Sequence, residues 1–422
     1  MAFLQNWTPM LAIKPDRLLA DLEGFAGIGA DPQGGITRLA YGEADLQARR
    51  RFVEQAEAAG LTPRTDAVGN IFARRAGRGG DLAPVGFGSH LDSVPNGGRF
   101  DGPLGVLAAL EVVRSLNDAG MVTRRPIDVI CFAAEESGRF GLGTLGSKAL
   151  VGRLTPGMLA SLRDPQGRAL GQVLRDCGYD PDRLDQARLR PGDYHAYLEL
   201  HLEQGAVLES RGLPVGIVTG IAAPTRYRVT YTGRADHSGA TPMDLRKDAL
   251  VAAAELVLAV RQLTVTHGNP TTVGTVGLLR VQPGAMNVIP GEVMLGIDIR
   301  DIEAEGKRRV AGQVRAAAER IARDSGLAVA VEPLTDDAPV PLPDRIRRIS
   351  AAACRARGIP CVELPSGAGH DAMYMAEVTE VGMLFTRCRE GISHNPAEYV
   401  SPEDVIAGAT ALAETALRLA EE

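Results

Sequence analysis

The chain has 422 residues, too many for one ordinary hydrophobic core, so two domains are expected. Its 45% apolar content and 49 glycines fit a globular α/β protein, and no run of about 18 uninterrupted apolar residues predicts a membrane span. A net charge of −6 gives no electrostatic reason to expect nucleic acid as a partner.

Residues 1–20 lack a basic start followed by an apolar core, so no signal peptide is expected. A helix is predicted over 43–60, ending at Gly60. Its Arg49-Arg50-Arg51, like the later Arg345-Ile346-Arg347-Arg348, reads as a solvated helix face. Residues 85–90 read as a short buried strand, 102–120 as a helix, 127–134 as a continuous apolar strand and 197–202 as another strand. This alternation predicts a largely parallel or mixed sheet covered by helices on both faces. Ligand-bearing residues fall at or just past strand ends, where open α/β sheets place their sites.

From about Gly216 the pattern changes. Residues 226–232 alternate, with Tyr227, Val229 and Tyr231 on one face. An Ala-rich helix over 244–263, strands over 272–281 and 292–300, an amphipathic helix over 304–325 and a strand over 327–331 follow. The order β-α-β-β-α-β is that of a ferredoxin-like α+β unit. The expected division is therefore 1–216 with 334–422 as one domain and 217–333 as an insertion. The first domain then resumes with a helix over 344–358, a strand over 381–386 and a helix from Pro402. The cysteines (Cys131, Cys177, Cys354, Cys361, Cys388) are odd in number, scattered and without a CxxC pair. That argues against a disulfide framework and predicts a reducing, cytoplasmic setting, with Cys131 in the core.

The densest chemistry lies in Gly88-Ser89-His90-Leu91-Asp92-Ser93-Val94-Pro95-Asn96-Gly97-Gly98-Arg99-Phe100-Asp101-Gly102. Imidazoles and carboxylates are the usual ligands of zinc or manganese, and a nearby carboxylate can orient a ligating ring. Glu135-Glu136 follows an apolar strand, and adjacent buried carboxylates repel unless cations compensate. Glu199-Leu200-His201-Leu202-Glu203-Gln204-Gly205 and Ile392-Ser393-His394-Asn395 add further ligands, enough for two metal ions and a spare carboxylate. That set points to metal-assisted hydrolysis. Asp101 reads either as a helix N-cap or as a carboxylate bridging two metals, and both can hold. Arg300 reads either as a surface ion pair with Asp298 or Asp301, or as a guanidinium fork for a substrate carboxylate. The Gly367-Ala368-Gly369-His370-Asp371 loop is small and flexible but is no P-loop, and neither a dinucleotide fingerprint nor a GxSxG elbow is present.

These motifs resemble the hydantoinase/carbamoylase-type amidases of the M20 metallopeptidase superfamily, over nearly the whole chain from Thr37 to Pro396. That group includes N-carbamoyl-L-amino acid hydrolases, β-ureidopropionases and allantoate amidohydrolases. The 88–102 motif and the 199–205 motif are the most specific, the latter because peptidases of the superfamily use a carboxylate where His201 stands. The resemblance implies that Asp101 bridges two divalent ions, His90 and His201 holding one and Glu136 and His394 the other. It implies zinc first, with manganese, cobalt or nickel as alternatives. Glu135 would be the general base, Asp92 would orient His90, and His237 would stabilise the oxyanion. Gln204, Asn287, Arg300, Gly369 and His370 match substrate-side positions. The fold implied is a metal-binding catalytic domain with an inserted lid that also forms a homodimer, with His237 serving its own or the partner's site. The substrate implied is a small carboxylate, an N-carbamoyl-L-amino acid, with allantoate or a β-ureido acid as alternatives within the group. Rival readings are an aminoacylase or dipeptidase, or a metal-binding module without catalysis. The segments 134–138 and 220–226 depart from the group's common pattern on the substrate side.

Overall fold

The computed structural model describes residues 11–422; residues 1–10, half of the stretch considered for a signal peptide, lie outside the described residues. The chain forms two compact units. The first comprises the chain up to Thr219 with Leu342–Leu364 and His370–Glu422, and the second comprises Gly220–Pro341 with Pro365–Gly369.

The first unit opens with helices α1 (Pro15–Ala26) and α2 (Glu43–Ala58), then β1 (Thr62–Thr65), β2 (Ile71–Arg75), β3 (Val85–His90), α3 (Pro103–Asp118), β4 (Ile127–Phe132), β5 (Ala196–Leu202) and β6 (Val215–Ile221). The second unit supplies β7 (Ala223–Thr232), β8 (Asp236–His237), the long helix α4 (Ala249–His267), β9 (Val273–Gln282), β10 (Val288–Ile289), β11 (Glu292–Asp301), helix α5 (Ala304–Ser325), β12 (Ala328–Asp336) and β13 (Val340–Pro341). Helix α6 (Asp344–Ala356), β14 (Cys361–Ser366, its last two residues grouped with the second unit), β15 (Val381–Thr386) and helix α7 (Pro402–Ala420) return to the first unit.

The main sheet runs β1-β2-β4-β3-β5-β15-β6, with β14 also paired to β6. Strands β4, β3, β5 and β15 are mutually parallel, while β1, β2 and β6 join antiparallel, so the sheet is mixed. Every residue of the four parallel strands is buried, which is why β3, β4 and β15 read as largely apolar runs, while β5 buries Glu199 and His201 among its leucines. Helices α3 and α7 pack on this sheet. Pro103 opens α3, and nearly every residue from Pro103 to Leu116 is buried. Because the four strands are parallel, the segments following His90, Phe132, Leu202 and Thr386 leave the sheet at one edge.

In the second unit a four-stranded antiparallel sheet has the order β12-β7-β11-β9. Strand β11 alternates strictly, burying Val293, Leu295, Ile297 and Ile299 against Leu256, Val260, Val310 and Val314 of α4 and α5. A separate ribbon pairs β8 with β10, His237 facing Val288.

Three expectations need correction. Helix α4 starts at Ala249 because Asp248 caps it, its carboxylate accepting the N–H groups of Leu250 and Val251. Strand β6 runs through Gly216, where the chain was expected to change domain. Arg49 is no solvated residue: it is 3% exposed and donates to the carbonyls of Phe132 and Gly69. By length and composition α4 could cross a bilayer; here Ala252, Ala253, Leu256 and Val260 pack it onto its sheet. All five cysteines are free, and Cys131 is core.

Candidate active site

Strand β3 ends at His90 and β5 carries His201, both buried. Each ring turns its Nδ1 to a backbone carbonyl, His90 to Asp92 at 3.0 Å and His201 to Leu202 at 2.9 Å. A neutral ring that donates from Nδ1 presents an Nε2 lone pair. Those Nε2 atoms face Asp101 Oδ1, at 3.1 Å from His201 and 3.6 Å from His90. Two lone pairs so placed need a proton or a cation between them. The other oxygen, Asp101 Oδ2, lies 3.2 Å from His394 Nε2, which is in turn 3.3 Å from Glu136 Oε1. Thus His90, Asp101 and His201 form one three-ligand group and Asp101, Glu136 and His394 another, each with its ligand atoms within 4.8 Å of one another. Both donor sets, imidazole nitrogen with carboxylate oxygen, fit a divalent transition metal or zinc.

The charges of the protein alone agree. Burial opposes the proton on His90, yet Glu135, Asp101 and Asp92 hold its pKa well above the ordinary value. Hydrogen bonds to Asp101 and Glu136 push His394 up to about 10. Burial works against the Asp101 carboxylate, but His201, His394 and His90 keep its pKa well below the usual range. The same imidazole protons are what a metal would replace.

Glu135 stands beside the cluster, its Oε2 3.8 Å from His90 Nε2 and its side chain 13% exposed. Burial raises its pKa well above that of a free carboxylate, opposed by His90 and reinforced by Glu136, Asp371 and Asp92. The side chain of Asp92 is 3.7 Å from His90 Nδ1, so the ring is held chiefly by the Asp92 carbonyl. Its carboxylate instead accepts the backbone N–H groups of Glu135 and Glu136, at 3.2 and 2.9 Å. The bend that delivers the Glu pair includes Ala134 at φ +52°, and Gln204 and His394 also lie at positive φ. Such backbone strain outside glycine concentrates at functional sites.

Asp101 does not cap α3: the N-cap position is Gly102, and no side-chain cap bond is made there. Gln204 is brought to the cluster, donating from Nε2 to Asp101 Oδ2 at 2.8 Å. His370 is 2% exposed and lies edge-on to His201, ring centroids 4.6 Å apart. Burial, then the neighbouring His201, hold its pKa well below the ordinary value. Gly369 is exposed.

The remaining predicted residues belong to the second unit. His237 is exposed, and its Nδ1 accepts the N–H groups of Gly239 and Ala240, leaving the proton on Nε2. Asn287 is adjacent across the ribbon, its carbonyl accepting from Ser238 N–H at 3.1 Å while its side chain is exposed. Arg300 does pair with Asp298, at 3.0 and 3.1 Å through two nitrogens, and its remaining nitrogen donates to the Gly367 carbonyl at 2.9 Å.

Sequence reasoning passed over Glu398, a buried carboxylate bonded to the backbone N–H groups of Phe100 and Asp101. The one local signal for it was a Glu four residues after His394 in a Pro-containing turn.

Known proteins are similar to this chain over nearly its whole length. The profile of peptidase family M20/M25/M40 matches residues 86–418. An N-carbamoyl-L-amino acid amidohydrolase of Geobacillus stearothermophilus is 44% identical over 409 residues, covering 97% of this chain and 99% of its own. An allantoate amidohydrolase of Escherichia coli is 33% identical, over 93% of this chain and 95% of its own. A solved amidase of the hydantoinase/carbamoylase family from Burkholderia multivorans has a TM-score of 0.93 and 40% identity, covering 98% of this chain and all of its own. The chain belongs to peptidase family M20/M25/M40, within its hydantoinase/carbamoylase group of amidases.

Proposed function

We propose that the protein hydrolyses the carbamoyl C–N bond of N-carbamoyl-L-amino acids, giving the amino acid, ammonia and carbon dioxide. Enzymes of its family are metal-dependent hydrolases. The observation that carries this reading is the pair of three-ligand groups sharing Asp101, with Glu135 beside them. The Geobacillus stearothermophilus relative supports the substrate class. His90, His201 and Asp101 would hold one divalent ion, and Asp101, Glu136 and His394 a second. Zinc fits these donors, as do manganese, cobalt and nickel. Bound there, such ions lower the pKa of water towards 7 and polarise a carbonyl oxygen.

The residues divide the remaining work. Glu135 takes a proton from the attacking water and delivers it to the leaving nitrogen, which departs as the free amine of the amino acid. The carbamate left behind decomposes to ammonia and carbon dioxide. Asp92 fixes the backbone of the Glu pair, and Gln204 holds Asp101 and borders the substrate. His370 backs His201, and the loop through Gly369 borders the scissile group. His237 donates from Nε2 to the developing oxyanion. Arg300, aimed by Asp298, anchors the substrate carboxylate together with Asn287. In this reading the first unit is the catalytic domain and the second is a ferredoxin-like lid, supported by its β12-β7-β11-β9 order, whose closure excludes water. Its exposed apolar α4 face supports a homodimer, and five free cysteines support a reducing cytoplasm.

The test is product release by metal-loaded enzyme on N-carbamoyl-L- and D-amino acids, N-carbamoyl-β-alanine, allantoate, N-acetyl amino acids and a dipeptide. Selective turnover of an N-carbamoyl-L-amino acid is expected. Turnover of allantoate alone would move the enzyme to the activity named for its Escherichia coli relative. Arg300→Ala is expected to raise KM for substrates with a carboxylate and to leave a neutral amide unaffected; an equal loss on both would remove the anchor.

A further inference from the structure

Two ligands of the candidate metal cluster come from segments far apart in sequence: Asp101 ends the glycine-rich loop, and His394 lies near the C-terminus. One buried carboxylate touches both segments. Glu398 is 3% exposed, and its Oε1 accepts the backbone N–H groups of Phe100 at 2.9 Å and Asp101 at 3.1 Å. Its Oε2 lies 2.8 Å from Ser393 Oγ, and Ser393 Oγ lies 2.8 Å from Asp101 Oδ2. Asp101 is thus gripped twice, at its main chain directly and at its side chain through Ser393. The site is cut to fit this carboxylate, because a Cβ at Gly98 would stand 2.0 Å from the Glu398 carboxyl carbon. No step of the proposed hydrolysis uses Glu398.

We propose that Glu398 is a positioning residue that, with Ser393, sets Asp101 Oδ2 and the His394 loop at the spacing the metal pair requires. The inference rests on the metal reading of the cluster. Glu398 faces the backbone of Asp101 and the Ser393 hydroxyl, and neither of its oxygens belongs to either ligand group. A strut of this kind works by geometry and not by charge. Glutamine can do the same: its amide oxygen accepts the two N–H groups, and its NH2 donates to Ser393, whose single proton goes to Asp101. Alanine can do neither.

The experiment compares the full-length wild type with Glu398→Gln, Glu398→Ala and Ser393→Ala. Zinc per chain is measured, zinc extraction is followed with a colorimetric chelator, and kcat and KM are determined on an N-carbamoyl-L-amino acid. Glu398→Gln is expected to stay close to wild type in all of these. Glu398→Ala is expected to lose zinc about 10–100-fold more readily, as partners of metal ligands do when removed, with kcat reduced and KM little changed. Ser393→Ala, which deletes only the link, is expected to show the same loss in weaker form, and it decides the matter if Glu398→Ala does not fold. A Glu398→Gln variant as defective as Glu398→Ala would overturn the proposal, because the charge would then be what matters. So would wild-type zinc retention in Ser393→Ala. A wild type that binds no zinc, manganese or cobalt at all would sink the metal reading itself, a result distinguishable from variants that merely match a zinc-binding wild type.

Discussion

A methyl group at residue 102 would collide with the His90 ring. The Cβ position lies 2.5 Å from ring atoms, and the φ of +84° is one that L-residues rarely adopt. Gly102→Ala is therefore expected to displace His90 and weaken metal binding by about 10–100-fold, read by chelator competition, while the chain still folds. Glu135 makes the complementary prediction, since it faces the cluster without belonging to either ligand group. Glu135→Gln is expected to keep its full metal content and lose about 10²–10⁴-fold in kcat, the range usual for a general acid–base group. Substantial remaining turnover would take Glu135 out of the base role. At this scale the candidate ligand residues stood out because they lie in short motifs rich in His and carboxylates, His90 at the end of a buried strand and His201 within one. The bond that Asp92 makes to the Glu135–Glu136 backbone was not, because main-chain partners leave no trace in residue identity. Glu398 was hidden for the same reason, its N–H partners lying 298 and 297 positions away.

Helices with one apolar stripe were readable from their period, and strands buried on both faces from short apolar runs. Thus α5 and β15 run over the residues that the pattern predicts. Short strands such as β1, only four residues and mostly exposed, carry no such period and were missed. Helix α4 is the informative exception: apolar on nearly every face, it gives no direction. Its structure explains why. One face packs on the sheet, while Leu258 is 67% exposed and Val265 76% exposed on another. Beside it in sequence, the edge strand β9 also exposes Val273, Leu278 and Leu279. An unpaired edge with apolar side chains is a liability unless it is covered. If a second copy covers it, light scattering of the wild type should give twice the 44.6 kDa chain mass. The double variant Leu258→Glu, Val265→Glu should then shift to monomer. A monomeric wild type would remove the dimer from the proposal.

Over the whole molecule, the strand and helix pattern changes after residue 216, but β6 carries the first sheet's pairing past that point, and the short segment 365–369 groups with the second unit. The cluster is expected to couple to the stability of the fold through His394, whose side chain is 49% exposed at its rim. An ordinary histidine titrates at about 6.5, whereas in the metal-free protein Asp101 and Glu136 hold His394 at about 10. A raised folded-state pKa stabilises the fold in full below the unfolded value and ceases to do so as pH rises through the folded one. The metal-free protein should therefore lose stability between about pH 6.5 and 10. Metal binding must displace the same proton, so affinity should rise over that interval, and at 100 times Kd the ion adds about 2.7 kcal/mol. The measurement is the melting temperature with and without zinc at pH 7 and pH 9, with zinc fixed and ionic strength matched. The gap between the two melting temperatures is expected to widen at the higher pH, with proton release on zinc binding detected by calorimetry in two buffers. A gap that narrows, with no protons released, would mean that His394 is not displaced by the ion and that the second ligand group does not bind it.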